Sequence, residues 1–159
     1  MKPLNVVERA AFHVIGVRER FVPGKIERIP LLWDQFIRRA DEIANQVPCV
    51  HYGVCIDDRE GPTSAPGFFY IAGVGVTSLD VMPAGMAGFT VPAGTYAVFT
   101  HKGPIADLHQ TIAAIWREWL PASGLTTTGA PDFELYDERF KMQSPDSEVD
   151  VYVPVVPPR

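Results

Sequence analysis

The stretch Pro131-Asp132-Phe133-Glu134-Leu135-Tyr136-Asp137-Glu138-Arg139-Phe140 decides how the rest of the chain is read. It reads as a strand, and a strand sends successive side chains to opposite faces. Glu134 and Tyr136 therefore share one face, while Phe133, Leu135 and Asp137 share the other. If the Glu134 face is the inner one, the fold holds an acid in aromatic surroundings. Such an acid must be paired, be protonated, or await a cationic or polar ligand.

Outward from this strand, the spacing predicts a helix over 105–120, with Leu108, Ile112, Ile115, Trp116 and Trp119 on its buried stripe and Pro121 and Gly124 ending it. Strand-like runs at 86–91 and 95–101 precede it, separated by the turn Pro92-Ala93-Gly94. A polar link over 141–147 and a last strand over 148–153 follow. The first half has the same order. Residues 4–21 alternate through Val6, Val7, Phe12, Val14, Ile15 and Val17 and predict one long strand, bulged or broken, stopped by Pro23-Gly24. From 26 to 46, Ile26, Ile29, Leu32, Trp33, Phe36, Ile37, Ala40, Ile43 and Ala44 mark an amphipathic helix, with Pro30 tolerated in its first turn. Strands over 50–56 and 67–77 come next, joined by a polar hairpin loop.

Strand, helix, strand, strand thus occurs twice, in halves of about 1–80 and 81–159. The order predicts a single α+β domain of two pseudo-symmetric βαββ halves. Two antiparallel sheets lie side by side, both helices cover one face, and a ligand cleft opens at the junction. Trp33 and Trp116 occupy corresponding helices. Aligning His51-Tyr52-Gly53-Val54 with Phe133-Glu134-Leu135-Tyr136 makes Tyr52 the counterpart of Glu134.

Composition narrows the function. The 159 residues are 47% hydrophobic and 21% charged, as in a soluble globular protein. A net charge of -5 argues against a nucleic-acid-binding surface. Cys49 and Cys55 have neither CxxC nor metal-ligand spacing, and reduced, buried thiols of a cytoplasmic protein are expected. The N-terminus lacks the apolar core of a signal peptide, and no apolar run approaches the ~20 residues that span a membrane. His13, His51, His101 and His109 show no zinc spacing, and no GxSxG, GxGxxG or Walker motif is present. No metal, no cofactor and no serine nucleophile is therefore expected. Trp119 reads as core, and Asp137 and Glu138 as solvated or as partners of Arg139.

Five runs taken together are similar to a known family: Ile71-Ala72-Gly73-Val74, the segment 91–103 (Val91-Pro92-Ala93-Gly94-Thr95-Tyr96 onward), the segment 116–124, Pro131–Tyr136, and Val151-Tyr152-Val153-Pro154-Val155. In order and spacing they resemble the GyrI-like family, the effector-binding domains also found at the C-terminus of AraC-type and MerR-type multidrug-responsive regulators. The resemblance covers nearly the whole chain. It implies a pocket for hydrophobic, often cationic compounds, faced by one glutamate, which here is Glu134. It places the aromatic walls at Trp33 and Tyr52, with Tyr70, Trp116 and Tyr152 as further candidates and Phe36 as either wall or core. Some relatives hydrolyse cyclopropane-containing electrophiles with the same glutamate and an aromatic hydroxyl, which here would be Glu134 and Tyr52. A gyrase-inhibitor-like protein-interaction role is a third reading. The regulators carry a helix-turn-helix module ahead of this domain, and no such module is expected here ahead of residue 4. The expectation is therefore a stand-alone binder of small hydrophobic or cationic ligands without direct nucleic-acid binding, with a homodimer or a separate regulator as possible partner.

Overall fold

The structure, a computed structural model, describes residues 5–61 and 64–157. Eight strands carry the fold: β1 (Asn5–Arg9), β2 (Phe12–Phe21), β3 (Gln46–Asp58), β4 (Gly67–Val76), β5 (Ala87–Val91), β6 (Gly94–Lys102), β7 (Asp132–Tyr136) and β8 (Glu148–Pro154). They form one antiparallel sheet in the order β1-β6-β8-β7-β3-β4-β2-β5. Exchanging β1–β4 with β5–β8 reverses this order onto itself, so a pseudo-twofold axis passes between β7 and β3. The α+β class, the repeat and the placement of both helices on one face agree with the sequence. The two separate sheets do not: β7 pairs with β3 from His51↔Tyr136 to Cys55↔Asp132 and fuses the halves.

The first strand of each half crosses to the other half. β1 pairs with β6, and β5 pairs with β2. The alternating run over 4–21 is thus two strands serving distant parts of the sheet, broken at Ala10-Ala11. An extended residue spans at most about 3.6 Å, so two residues cannot cross a flat sheet between β1 and β2. The sheet must curl until the two strands approach, and Pro92-Ala93 imposes the same closure between β5 and β6. The inside of the curl is an apolar core of Val14, Tyr52, Val54, Ile71, Val91, Tyr96, Phe133 and Leu135.

The outer face is covered by helices. α1 (Ile29–Arg39) lays Leu32 and Phe36 over Ile15, Val17, Tyr70, Ala72 and Val74. Pro30 lies at its start, where no backbone N–H is required, and Arg38 and Arg39 suit its C-terminal dipole. The helix is shorter than its apolar pattern, since a 3₁₀ turn takes over at Ala40–Glu42. A second helix, α2 (108–123), joins α-helical Leu108–Ala114, a π-helical turn Ile115–Trp119 and a final turn Leu120–Ser123. It runs through Pro121 rather than stopping there. The wider π turn loosens the bonding ladder just where the proline lacks an N–H, and Gly124, at φ 74°, closes the helix. α2 packs Leu108, Ile115 and Leu120 over Ala97, Phe99, Val149, Val151 and Val153. Trp33 touches both outer clusters and stands at the junction of the halves.

β7 stops at Tyr136 instead of continuing to residue 140. Asp137 turns the chain by accepting the backbone N–H of Arg139 at 3.0 Å, and the Arg139 guanidinium donates to Asp137 and, at 2.7 Å, to Asp150. Among the described residues no helix is long and apolar enough to cross a membrane.

Candidate functional site

The register places Glu134 on β7 directly opposite Gly53 on β3, on the outer face that also carries Tyr136. Gly53 is what makes room. A Cβ there would stand 2.0 Å from the Tyr70 hydroxyl and 2.7 Å from Glu134 Oε1. Into that space Tyr70, from β4, sends its hydroxyl and donates to Glu134 Oε1 at 2.8 Å. The Tyr136 hydroxyl donates to the same oxygen at 2.6 Å. Trp33, from α1, donates its indole N–H to the Tyr70 hydroxyl at 3.0 Å. The result is a directed chain from indole to phenol to carboxylate, closed by a second phenol. The Trp33 ring lies 5.1 Å from Tyr136 and 6.5 Å from Tyr70, and Phe36 sits edge-on behind it at 5.9 Å.

Glu134 is only 8% exposed, yet among the described residues no cation forms a salt bridge with it. Both hydrogen bonds fall on Oε1; among the described residues Oε2 takes none, and it is not a fully buried atom left without a partner. Burial pushes the carboxyl above the usual carboxylate range, against the lowering effect of the two tyrosine hydroxyls. Burial, reinforced by the Glu134 charge, also holds the Tyr70 and Tyr136 hydroxyls well above their ordinary range, so both stay neutral donors. One step along the same face, half-buried Asp132 lies opposite Cys55. Its carboxyl is pushed up to about 7, first by burial and then by the Glu134 and Asp57 charges. The Cys55 thiol is raised well above its ordinary range, again mainly by burial. His51, opposite Tyr136 and packed on Phe36, is held below the ordinary imidazole range by burial and supplies no cation at neutral pH. The site is an acidic row framed by rings and hydroxyl donors, with one carboxylate oxygen left open.

Residues 2–156 match the family model of the GyrI-like small molecule binding domain. The chain belongs to this family. It is 41% identical over 153 residues to the transcriptional regulator BrlR of Pseudomonas aeruginosa, an overlap that covers 95% of this chain and 54% of BrlR. It is 34% identical over 107 residues to the probable transcriptional regulator YgiV of Escherichia coli K12, covering 65% of this chain and 66% of YgiV. The chain thus spans about half the length of BrlR and under two thirds of YgiV. Among solved structures, SAV2435 bound to tetraphenylphosphonium superposes with a TM-score of 0.74 at 19% identity, covering 98% of this chain and 94% of that one. At that identity the likeness shows the fold.

This GyrI-like domain brings together some of the residues singled out by sequence and separates others. Glu134, Trp33 and Tyr70 meet, with Phe36 in the core behind Trp33. Tyr52 does not join them. It pairs with Leu135 and projects to the inner face, so the alignment of Tyr52 with Glu134 is off by one residue. In an element of period two, that slip moves a side chain to the opposite face. Tyr152 pairs with Phe133 and is also on the inner face. Trp116 sits on the π turn, 43% exposed. The hydroxyl partners of Glu134 are therefore Tyr70 and Tyr136, not Tyr52. Sequence reasoning passed over Tyr136, although its i, i+2 relation to Glu134 already placed it on the same face. Gly53, Asp132 and Cys55 were also missed, because their roles depend on strand register.

Proposed function

We propose that this GyrI-like domain binds lipophilic organic cations on the outer face at the junction of its halves. Glu134 is the counter-charge, and Trp33, Tyr70 and Tyr136 form the frame. The observation that carries this reading is a buried carboxylate surrounded by aromatic rings, with one oxygen uncommitted and no cation paired with it among the described residues. Ring faces and edges supply apolar area worth about 25 cal/mol per Å² removed from water. Cation–π contacts add about 0.5–2 kcal/mol each. The solved complex of SAV2435 with tetraphenylphosphonium, on the same fold, supports this class of ligand. Half-buried Trp33 is the movable wall, because a single hydrogen bond to Tyr70 ties its indole to the buried chain. Regulators among the relatives make ligand sensing in transcription the setting we favour, and free thiols at Cys49 and Cys55 favour a reducing, cytoplasmic compartment.

Binding of a cation favours the ionised carboxylate, so its affinity rises with pH through the raised Glu134 titration, while that of a neutral ligand stays flat. Calorimetric titration of wild type and Glu134→Gln with tetraphenylphosphonium and with neutral triphenylphosphine oxide tests the reading. The variant is expected to weaken the cation by about tenfold or more, at about 1.4 kcal/mol per decade, and to leave the neutral ligand nearly unchanged. Equal losses for both ligands would reject Glu134 as the counter-charge.

A further inference from the structure

The inner face holds a second aromatic cluster, and a cation already occupies it. The guanidinium carbon of Arg9 lies 4.7 Å from the ring centre of Phe12, 5.2 Å from Tyr152, 5.4 Å from Phe133 and 5.6 Å from Tyr52. Its Nη2 donates to the Tyr52 hydroxyl at 2.5 Å. Phe133 and Tyr152 stack at 4.6 Å with 12° between their planes, and Phe12 leans on Tyr52 at 4.5 Å. Phe12 and Tyr52 come from the first half, Phe133 and Tyr152 from the second, so the cage is complete only when both halves are in place. Among the described residues Arg9 forms no salt bridge.

Two features separate this arrangement from ordinary core packing. A guanidinium on an exposed strand has a low-cost route into water, because its long stem can turn outward; here it lies among four rings and a hydroxyl instead. The strand that carries it is also weakly held. β1 is a five-residue edge strand that, among the described residues, pairs only with β6, with Val6 38% and Val7 37% exposed. Edge segments with few buried contacts open locally far more often than the core. The floor of the cage, Tyr52 and Phe133, is buried, and the rim, Phe12 and Tyr152, is half-exposed. The cavity would therefore open to solvent when β1 lifts.

We propose that the Phe12–Tyr52–Phe133–Tyr152 cage is a second cation site, selective for a guanidinium group on a small molecule, with Arg9 as its built-in competing occupant. The planar cation fits against the rings, and the Tyr52 hydroxyl accepts one of its N–H groups. The site is independent of Glu134, which lies on the opposite face of the sheet.

The test removes the occupant and supplies its head group. Arg9→Ala is titrated with methylguanidinium chloride and, at matched ionic strength, with flat but neutral N-methylurea, following aromatic ring resonances by NMR and the melting temperature. Saturable, low-millimolar shifts of the Phe12, Phe133 and Tyr152 rings with methylguanidinium are expected, with recovery of part of the lost melting temperature. Wild type should bind at least tenfold more weakly. Arg9→Ala combined with Tyr152→Ala should lose at least tenfold of the rescue, whereas Glu134→Gln should leave it unchanged. If Arg9→Ala does not fold, hydrogen exchange on wild type decides: methylguanidinium must speed exchange of the β1 amides but not of those in β3 and β7. Equal effects of N-methylurea, unchanged rescue without Tyr152, or uniform exchange along the sheet would overturn the proposal.

Discussion

The two faces of the sheet solve opposite electrostatic problems with the same kinds of residue. On the outer face the chain buries an anion, Glu134, among a tryptophan and two tyrosines. On the inner face it partly buries a cation, Arg9, among two tyrosines and two phenylalanines. Neither charge has an opposite charge in a salt bridge among the described residues. The difference lies in how each is tolerated. Ring faces are electron-rich and stabilise Arg9 directly, so the inner cage already holds a cation of the chain's own. The same faces do nothing favourable for a carboxylate, and two phenol hydroxyls only partly replace its water. Burial accordingly still raises the Glu134 pKa. The outer site is the less satisfied of the two, which is why we propose it as the place where a cation from solution binds.

The largest way to break this comparison is to fill the outer site with protein. Gly53→Ala puts a methyl group 2.0 Å from the Tyr70 hydroxyl and 2.7 Å from Glu134 Oε1, where one of them must leave. Urea denaturation is expected to show a loss of about 3 kcal/mol, the upper part of the usual overpacking range, with cation binding abolished. The inner cage, on the other face, should keep its Arg9 ring contacts in NMR spectra. Normal tetraphenylphosphonium affinity in a folded Gly53→Ala variant would show that the ligand sits elsewhere.

Gly53 also marks the limit of what could be read from sequence. The strand and helix periods gave the α+β class, the repeat and the core stripe, because burial patterns are local. Glu134 and Tyr136 on one face followed from alternation alone. Which residue faces Glu134 across the sheet is set by the pairing of β3 with β7, and no local pattern encodes that register. Tyr52 and Gly53 are neighbours, so an error of one residue exchanged a ring on the wrong face for the glycine that opens the site. The crossing of β1 was hidden for a similar reason. Two strands separated by Ala10-Ala11 have the same alternation as one long strand, and only the pairing partners tell them apart.

A smaller effect sharpens the electrostatic side. Burial pushes the Asp132 carboxyl up to about 7 in the folded protein, against an ordinary 3.8. A carboxyl whose folded pKa is raised binds its proton more tightly when folded, so its contribution favours folding below about pH 4 and is lost as pH rises toward 7. Glu134 acts in the same direction, and Asp137, lowered chiefly by Arg139, in the opposite one. The difference between Asp132→Asn and wild type isolates the first term. The variant is expected to match wild type near pH 4 and to be more stable by about 1–2 kcal/mol at pH 8, below the full shift at 1.36 kcal/mol per unit because Asp132 keeps some contact with water. Denaturant midpoints at pH 4, 6 and 8 check it, and a constant difference across the range would show that Asp132 does not titrate between them. Cation affinity should fall modestly at pH 8, since one nearby negative charge is gone.

The smallest effect contrasts the two halves. Trp33 and Trp116 stand in corresponding helices, and by sequence either could wall the pocket. α1 turns Trp33 onto the Tyr70–Glu134 chain, where it touches the cores of both halves. The π turn in α2 leaves Trp116 with 43% of its surface exposed, and none of the ring contacts around Glu134 involves it. Trp116→Ala should therefore change stability by no more than about 0.5 kcal/mol, as for surface substitutions, and leave cation affinity within about twofold. Trp33→Ala, by contrast, removes a ring that packs on Tyr136 and the donor to Tyr70, and should weaken cation binding by about tenfold or more, at about 1.4 kcal/mol per decade. Tryptophan fluorescence separates the two sites without a new probe. Quenching by a bound phosphonium should persist in Trp116→Ala and vanish in Trp33→Ala. The reverse pattern would move the ligand onto the outside of the second half and leave Glu134 without the role assigned to it.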